Sequence, residues 1–440
     1  MRAFCSQIAQ CPLSVVKVNL DMRAIAEHQA AVLSHAEVLP TETIAVDVEA
    51  LSRTLAADQL AINAIPPFDN SAMDGFIIHR ADLDSGGNAQ LRVDGEVAAG
   101  DAAQIPPLGA AVRIMTGAPV DTTDEDLVIV PVEYTDIEPG PQPLPRQVRI
   151  DGFDSRKLHI RRKGESLQVG QQCAHAGQDI DVGMLSTLIS AGIGQVEVYA
   201  LPRVAVVSTG NELRQTGESL DEGKIPDSNS PMIAGLVRAC GIDQVTIAHC
   251  DDSPEHLRKL FTDLSANHDV IITTGGVAVG VYDVVRDVLN THASPSWFGR
   301  VQHKPGSHQG LSLWAHDDHR QVPVVSLPGN PVAAFVSFHL YVHPLLNKLR
   351  GKQTLDRPTK ISAQVVGEPP SARDRDVLVP AIVDFTQLPT MVTPFHGRHV
   401  GSHMISSLVG VNAMLHLRAG EAALAEGAMV EVLLLPSVTR

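Results

Sequence analysis

Between residues 200 and 350, short apolar runs alternate with helix starts in which a capping residue is followed directly by proline. Val204–Val207, Val245–Ala248, Val270–Thr274 and Val322–Ser326 are strand-length and rich in β-branched side chains. Ser230-Pro231, Ser253-Pro254 and Asn330-Pro331 each put a side-chain oxygen where it caps the first helical amides. Each also puts a proline where its missing N–H is not needed. Gly241 and Gly351 mark helix ends. Strands separated by helices of this length pair in parallel through right-handed crossovers, so the pattern predicts a doubly wound parallel α/β sheet.

The remainder of the 440 residues is too long for one core, and at roughly 150 residues per domain the chain divides into about three. Met22, Ile25, Ala26, Leu33 and Ala36 share one helical face, with Asp21 as the expected N-cap. Ile44, Val46 and Val48 alternate as in a strand. From about 69 to 150 the chain is rich in Gly and Pro with short Val/Ile runs, which predicts a small all-β module whose end, Pro139 through Pro145, is a loop. Asp181 opens a short helix that stops at Gly192, and from about 355 the texture returns to strands and turns. There is no low-complexity segment and no internal repeat.

Composition limits the partners. Thirty-four Lys and Arg against fifty Asp and Glu leave a net charge of −16, which argues against nucleic acid or an anionic membrane as a bulk partner. Aromatic residues are only 4%, too few for a base-stacking platform. Cys5, Cys11, Cys173, Cys240 and Cys250 are odd in number and form no CxxC pair, so a reducing, cytoplasmic setting is expected. Residues 1–19 lack a signal-peptide core, and no apolar run approaches the ~18 residues of a membrane helix.

In a parallel sheet, ligands bind where the carboxyl ends of strands meet helix N-termini. Three loops are predicted there: Ser208-Thr209-Gly210-Asn211-Glu212, Thr274 to Gly280 with Asp283 beyond, and Leu327-Pro328-Gly329-Asn330-Pro331. Glycine lets the backbone approach an anion, and free amides at a helix start bind it. A single loop of this kind is as well explained by a tight turn; three on one sheet favour a phosphate or oxyanion site. Asp74, within Phe68 to Gly75, reads on composition as an Asx-rich turn between domains. Arg161-Arg162-Lys163-Gly164 reads as a solvated cationic run. Arg300 and Lys304, beside Pro305-Gly306, either face anionic oxygens or flank a strand end. His396, His399 and His403 lack helical support for a metal site, and no transition metal is assigned.

FDNSAMDG at 68–75, RIMTGAPV at 113–120, STGNEL at 208–213, TTGGVAVG at 273–280, LPGNPVAA at 327–334 and GSHMISSL at 401–408 together resemble the MoeA family. These are molybdopterin molybdenumtransferases, related to the E domain of gephyrin. The order and spacing match from about residue 20 to the C-terminus. The resemblance implies a linking domain at 20–66 and 150–198, an inserted β domain at 67–149, a MogA-like α/β domain at 199–352 and a C-terminal β-barrel-like domain at 353–440. It also implies a cytoplasmic homodimer with each active site built between protomers. The implied reaction inserts molybdate into adenylylated molybdopterin, releases AMP and molybdenum cofactor, and is assisted by Mg²⁺. A MogA-type adenylyltransferase and apo molybdoenzymes are the implied protein partners.

Carried over by motif, Asp74, Thr116, Glu212, Asp251, Asp283 and Lys304 are the expected catalytic residues, with Glu212 and Asp283 as the Mg²⁺ ligands. Arg300, Gly275, Gly276, Pro328, Gly329, Asn330, Pro331 and Ser402 are the expected binding residues. The chain departs from the family at Asn211 and Ser166, where an acidic residue is usual, at Ala278 in place of serine, and at Ser307 in place of a second lysine. These departures motivate the alternative of a non-catalytic pterin-binding or scaffold paralogue on the same fold. A nucleotide-pyrophosphate hydrolase of the CinA type shares only the MogA-like part.

Overall fold

A computed structural model of the chain describes residues 22–277, 283–316, 320–352, 359–367, 371–395, 401–421 and 423–435. It divides into two compact units, one comprising the chain up to Pro40 with Ala200–Arg440, the other Thr41–Tyr199.

The first unit contains a seven-stranded sheet in the order Met22–Arg23, Ser296–Val301, His308–Ala315, Gln321–Leu327, Val270–Thr274, Val204–Thr209, Val245–Cys250. Val204–Thr209 is buried along its whole length, as expected for a strand covered on both faces. It pairs in parallel with Val245–Cys250 and Val270–Thr274, and the latter pairs in parallel with Gln321–Leu327. The predicted parallel order is broken by Ser296–Val301 and His308–Ala315, which form an antiparallel hairpin running on to Gln321–Leu327. The links between these strands are too short for the dozen or more residues a parallel crossover needs.

Helices cover both faces. Asn229–Ala239 and the run from Pro331 to Leu349 pack one face with Ile25–Ser34, in a core that includes Val206, Ile233, Val237, Ile272 and Tyr341. Pro254–Asn267 and Val284–His292 pack the other around Val207, Phe261, Val285 and Trp314. The cap readings divide. Ser253 accepts from His256 N at 3.4 Å and Pro254 opens the helix, as the sequence predicts. At Ser230-Pro231 the prediction fails: Ser228 is the N-cap, and Ser230 is the second residue of the helix, its amide and hydroxyl both donating to Asp227. The first helix starts at Ile25 with Ala24 as N-cap and Glu27 accepting from its amide; Asp21 lies outside the described residues.

At the C-terminal end, Asp376–Asp384, Met391–Pro394, Lys360–Val365, Met429–Leu434 and Ala413–Leu417 form a closed ring, because Ala413–Leu417 pairs back onto Asp376–Asp384. Closure removes the unpaired sheet edges, and Ala363, Val379, Val392, Leu415 and Val432 fill the interior.

In the second unit, Leu127–Pro131, Gly75–His79, Ala110–Ile114, Ala89–Val97 and Gln147–Ile150 form the β module, with Gly75–His79 and Leu127–Pro131 fully buried. A separate core holds Leu55, Ile180, Leu188 and Val196 under the helix Val182–Ser190, which Asp181 caps. Thr41–Ala45 pairs with Gln195–Tyr199, but the strand stops at Ala45: Val48 begins a short 3₁₀ turn and is exposed, against the alternation expected through it. Among the described residues, no helix is long and apolar enough to cross a membrane.

Candidate functional site

In the second unit three motifs converge. Asp74 Oδ1 accepts from the backbone amide of Thr116 at 2.6 Å and from its hydroxyl at 2.8 Å. These two bonds hold the Asp74 carboxyl below the usual carboxylate range. Asp69 accepts from Thr122 Oγ1, from Arg162 Nη1 at 2.9 Å and from Lys163 N at 2.6 Å. Asn70 and Ser71 pair as a short strand with Arg161 and Ile160. The Asp74 segment is therefore more than an Asx-rich turn, and Arg162 in the cationic run has an acidic partner. Gly75 is required sterically: a Cβ there would lie 2.0 Å from the Val130 carbonyl oxygen.

In the first unit the three predicted loops follow Val204–Thr209, Val270–Thr274 and Gln321–Leu327, three neighbours in the sheet. Gly210 has φ +143°, and the Glu212 carboxylate lies over it, 2.4 Å from where a Cβ would stand. Gly275 and Gly276 also have positive φ, and Gly329 packs against Gly275. Gly275 N donates to Leu327 O at 3.0 Å, joining the second loop to the third. Asn330 Nδ2 donates to Ser402 Oγ at 3.0 Å and Val332 N to Ser402 O, so the GSHMISSL segment closes over the Pro328–Pro331 turn.

Asp283 is the N-cap of Val284–His292. Arg300 and His308 face each other across the hairpin, and Arg300 Nε donates to His308 Nε2 at 3.3 Å. Burial, then Arg300, lowers the His308 pKa; the charges of Asp283, Arg286 and Arg375 also reach it. Asp283 and Arg300 thus share one electrostatic neighbourhood. Lys304 lies 3.7 Å from Asp374 at the surface. Its turn is gripped from below: His303 Nδ1 is 2.9 Å from Pro305 O, and Gln309 Nε2 donates to Gly306 O at 2.6 Å. Asp251 faces His256, whose ring nitrogen lies 3.0 Å from it and lowers its pKa. The neighbouring Cys250 thiol is pushed up to about 11 by burial and by Asp251, which leaves it a poor nucleophile.

Two contributors escaped sequence reasoning. Asn229 Nδ2 donates to Gly329 O at 2.7 Å, tying the helix Asn229–Ala239 to the LPGNP turn. The signal was the unusual density of Asp, Ser and Asn at 227–230. His308, which faces Arg300 across the hairpin, carried no sequence signal of its own. Three departures sit where the backbone makes the contacts: Asn211 N donates to Asp252 and its carbonyl accepts from Lys224, Ser166 N donates to Ile65 O, and Ser307 O accepts from Val301 N. Ala278, His396 and His399 lie outside the described residues.

Residues 205–348, which carry the α/β sheet with its convergent glycine loops, match a sequence profile described as a probable molybdopterin binding domain. Residues 23–192 match the MoeA N-terminal region (domain I and II), and residues 367–435 the MoeA C-terminal region (domain IV). The chain is 34% identical over 424 residues to molybdopterin molybdenumtransferase 2 of Mycobacterium tuberculosis, covering 93% of this chain and 99% of that one. It is 30% identical over 399 residues to the molybdopterin molybdenumtransferase of Staphylococcus epidermidis, covering 88% and 90%. The chain belongs to the MoeA family. The fold agrees: the molybdopterin biosynthesis MoeA protein of Pyrococcus horikoshii OT3 superposes with a TM-score of 0.75 over 94% of this chain and 100% of that one, at 23% identity.

Proposed function

We propose that this chain is a molybdopterin molybdenumtransferase, which inserts molybdenum from molybdate into adenylylated molybdopterin and releases AMP and molybdenum cofactor. The observation that carries the proposal is the continuous kinship, 34% identity over 99% of a relative bearing that name. The four-domain division read from the sequence, and the cytoplasmic setting suggested by an odd number of cysteines without a CxxC pair, form part of the same reading.

The chain's own groups suit the task. The Gly329 and Asn330 amides of the Pro328–Pro331 turn and the positive-φ Gly276 present backbone to phosphate or molybdate oxygens. Lys304 and Arg300 supply positive charge, Arg300 with bidentate geometry. Ser402 steadies Asn330. Asp251 orders the loop after Val245–Cys250 by accepting from Ser253 N. Asp74, kept anionic by Thr116, orients a water or a pterin group from the neighbouring protomer's side. Most of the rate gain is then positioning and charge complementarity.

The donor set suits Mg²⁺. Glu212 and Asp283 offer hard carboxylate oxygens, and among the described residues no group of three or more His, Cys, Asp and Glu forms a closed metal cage. Mg²⁺ takes one or two carboxylates and completes its shell with water and phosphate oxygens. When bound, the ion polarises a phosphoryl oxygen. A homodimer is supported by an exposed apolar patch on the second unit: Leu60, Ile62, Val169 and Ile189 are 54–63% exposed on segments joined by the Ile62 N–Ala191 O and Gly170 N–Ala61 O bonds. A MogA-type adenylyltransferase that makes the substrate, and apo molybdoenzymes that take the product, complete the proposal.

The test is reconstitution. Purified protein, adenylylated molybdopterin, Mg²⁺ and molybdate should yield cofactor that activates an apo molybdoenzyme. A yield no greater than that of a heat-killed control, with substrate shown to bind, overturns the reading.

A further inference from the structure

Beneath the Lys304-Pro305-Gly306 turn lies a buried polar node that the proposed chemistry does not use. His28 on the helix Ile25–Ser34, His303 beside Lys304, and Tyr341 on the π-helical turn Phe338–Val342 are all 0% exposed. The Tyr341 ring stands edge-on to His28, centroids 4.6 Å apart, and lies 5.8 Å from His303. Three atoms here, His28 Nε2, His303 Nε2 and Tyr341 Oη, have no hydrogen-bonding partner among the described residues. A buried polar atom left unpaired loses its hydration with nothing in return, so three around one ring require a reason.

The other nitrogen of each imidazole settles where its proton sits. His303 Nδ1 faces Pro305 O at 2.9 Å; a carbonyl only accepts, so Nδ1 carries the hydrogen and Nε2 a lone pair. His28 Nδ1 faces Arg23 Nη1 at 3.4 Å; a guanidinium only donates, so Nδ1 carries the lone pair and Nε2 the hydrogen. Burial lowers both pKa values, to about 3 for His28 and about 4 for His303, which keeps these rings neutral. The node therefore offers one donor, one acceptor and one hydroxyl able to act as either. A metal bound by both Nε2 atoms needs two lone pairs and conflicts with the Arg23 contact. A water molecule matches this inventory: it would accept from His28 Nε2–H, donate to His303 Nε2 and take a third bond with Tyr341, the usual number for a buried water.

We propose that His28, Tyr341 and His303 bind one structural water, and that His303, fixed by it, is a positioning residue for the turn that carries Lys304. His303 holds the carbonyl next to Lys304 while Gln309 holds the next one, so the lysine's backbone is set from within the core. The kinetic arm of the test rests on the function proposed above; the structural arm does not.

Asparagine places an amide where Nδ1 stands, and glutamine places one where Nε2 stands. In the full-length protein, His303→Asn should leave the KM for adenylylated molybdopterin within about twofold of wild type, whereas His303→Gln should raise it about tenfold with less change in kcat. A role in stability alone would lower the thermal midpoint of both variants without splitting their KM values, and would overturn the positioning claim. Long-range ¹⁵N–¹H correlations of the wild type at pH 7 should show His303 protonated on Nδ1 and His28 on Nε2. A crystal structure should show one water bonded to all three groups, weakened or lost in Tyr341→Phe. The opposite tautomers, or a node without that water, overturn the proposal. If the wild type does not turn over this substrate, the proposed function fails while the tautomers and the density still decide the node.

Discussion

Asp74 and Thr116 are bonded to each other twice, through the threonine amide at 2.6 Å and its hydroxyl at 2.8 Å, on the same carboxylate oxygen. Both bonds favour the carboxylate over the acid, so the folded pKa of Asp74 lies below its unfolded value. The stabilising contribution is full above the unfolded value of about 4 and is lost as pH falls through the lower, folded one. Thr116→Val removes the hydroxyl bond and keeps the amide bond. The Asp74 titration midpoint, followed by carboxyl NMR, should rise in this variant, and stability should fall by less than about 1 kcal/mol because both residues are exposed. An unmoved midpoint contradicts the assigned cause.

The second loop depends on glycine at one particular place. Gly276 has φ +65°, and a Cβ there would stand 2.8 Å from Val285 Cγ2, at the start of the helix Val284–His292. Gly276→Ala should cost about 1–3 kcal/mol of unfolding free energy, measured in urea. At Gly75 the obstacle is backbone, the Val130 carbonyl, which cannot rotate away. Gly75→Ala should therefore cost at least as much and should separate the Gly75–His79 and Leu127–Pro131 strands, seen as lost amide protection in the module.

Stability should fall on mild acidification. His28 and His339 have pKa values pushed down to about 3 by burial, and His303 and His343 to about 4. All four titrate near 6.5 once unfolded, so below that pH the unfolded chain binds more protons. Their contribution is whole above about pH 6.5 and is eroded from there down to about 4 for His303 and His343 and about 3 for His28 and His339, at up to about 1.4 kcal/mol per pH unit for each ring. Urea midpoints at pH 7, 6 and 5 should drop progressively. His339→Phe, in a pocket already lined by Phe335 and Phe338, should reduce the slope. A midpoint independent of pH over this range would remove the explanation.

Net charge sets the sign of long-range steering. A protein at −16 repels molybdate and a pyrophosphate-linked nucleotide, so capture relies on local groups such as Arg300, Lys304 and loop amides. Raising salt from low ionic strength should speed association by screening the repulsion. A monotonic slowing in stopped-flow traces would show that the local cations dominate instead.

The sequence carried the α/β core well because Val204–Val207, Val270–Thr274 and Val322–Ser326 are apolar runs that the sheet buries, and Ser253-Pro254 and Asn330-Pro331 mark helix starts where the structure has them. It misread Ser230-Pro231 because a nearby carboxylate, Asp227, takes over the capping bonds, which local propensity does not reveal. It missed the antiparallel hairpin because loop length, rather than periodicity, decides strand direction between Val301 and His308. Of the candidate site, the Gly275–Gly329 contact and the Asn330–Ser402 bond join motifs far apart in the chain. The α/β pattern put the two glycine loops at one end of the sheet, and only the family resemblance joined the GSHMISSL segment to them beforehand. Asn229 acts through a bond to backbone and His308 through its contact with Arg300, so beyond the density of Asp, Ser and Asn at 227–230 no motif announced them.

The central claim is that nucleotide release and metal insertion are one reaction on this chain. The most direct measurement mixes the protein with adenylylated molybdopterin and Mg²⁺ in a single turnover, with and without molybdate, and quantifies AMP and metal-loaded pterin together. The account predicts AMP and cofactor in equal amounts, dependent on molybdate and lost in Asp283→Ala. AMP released without metal insertion would identify a hydrolase, and no AMP from bound substrate would identify a binding protein; either result contradicts the account.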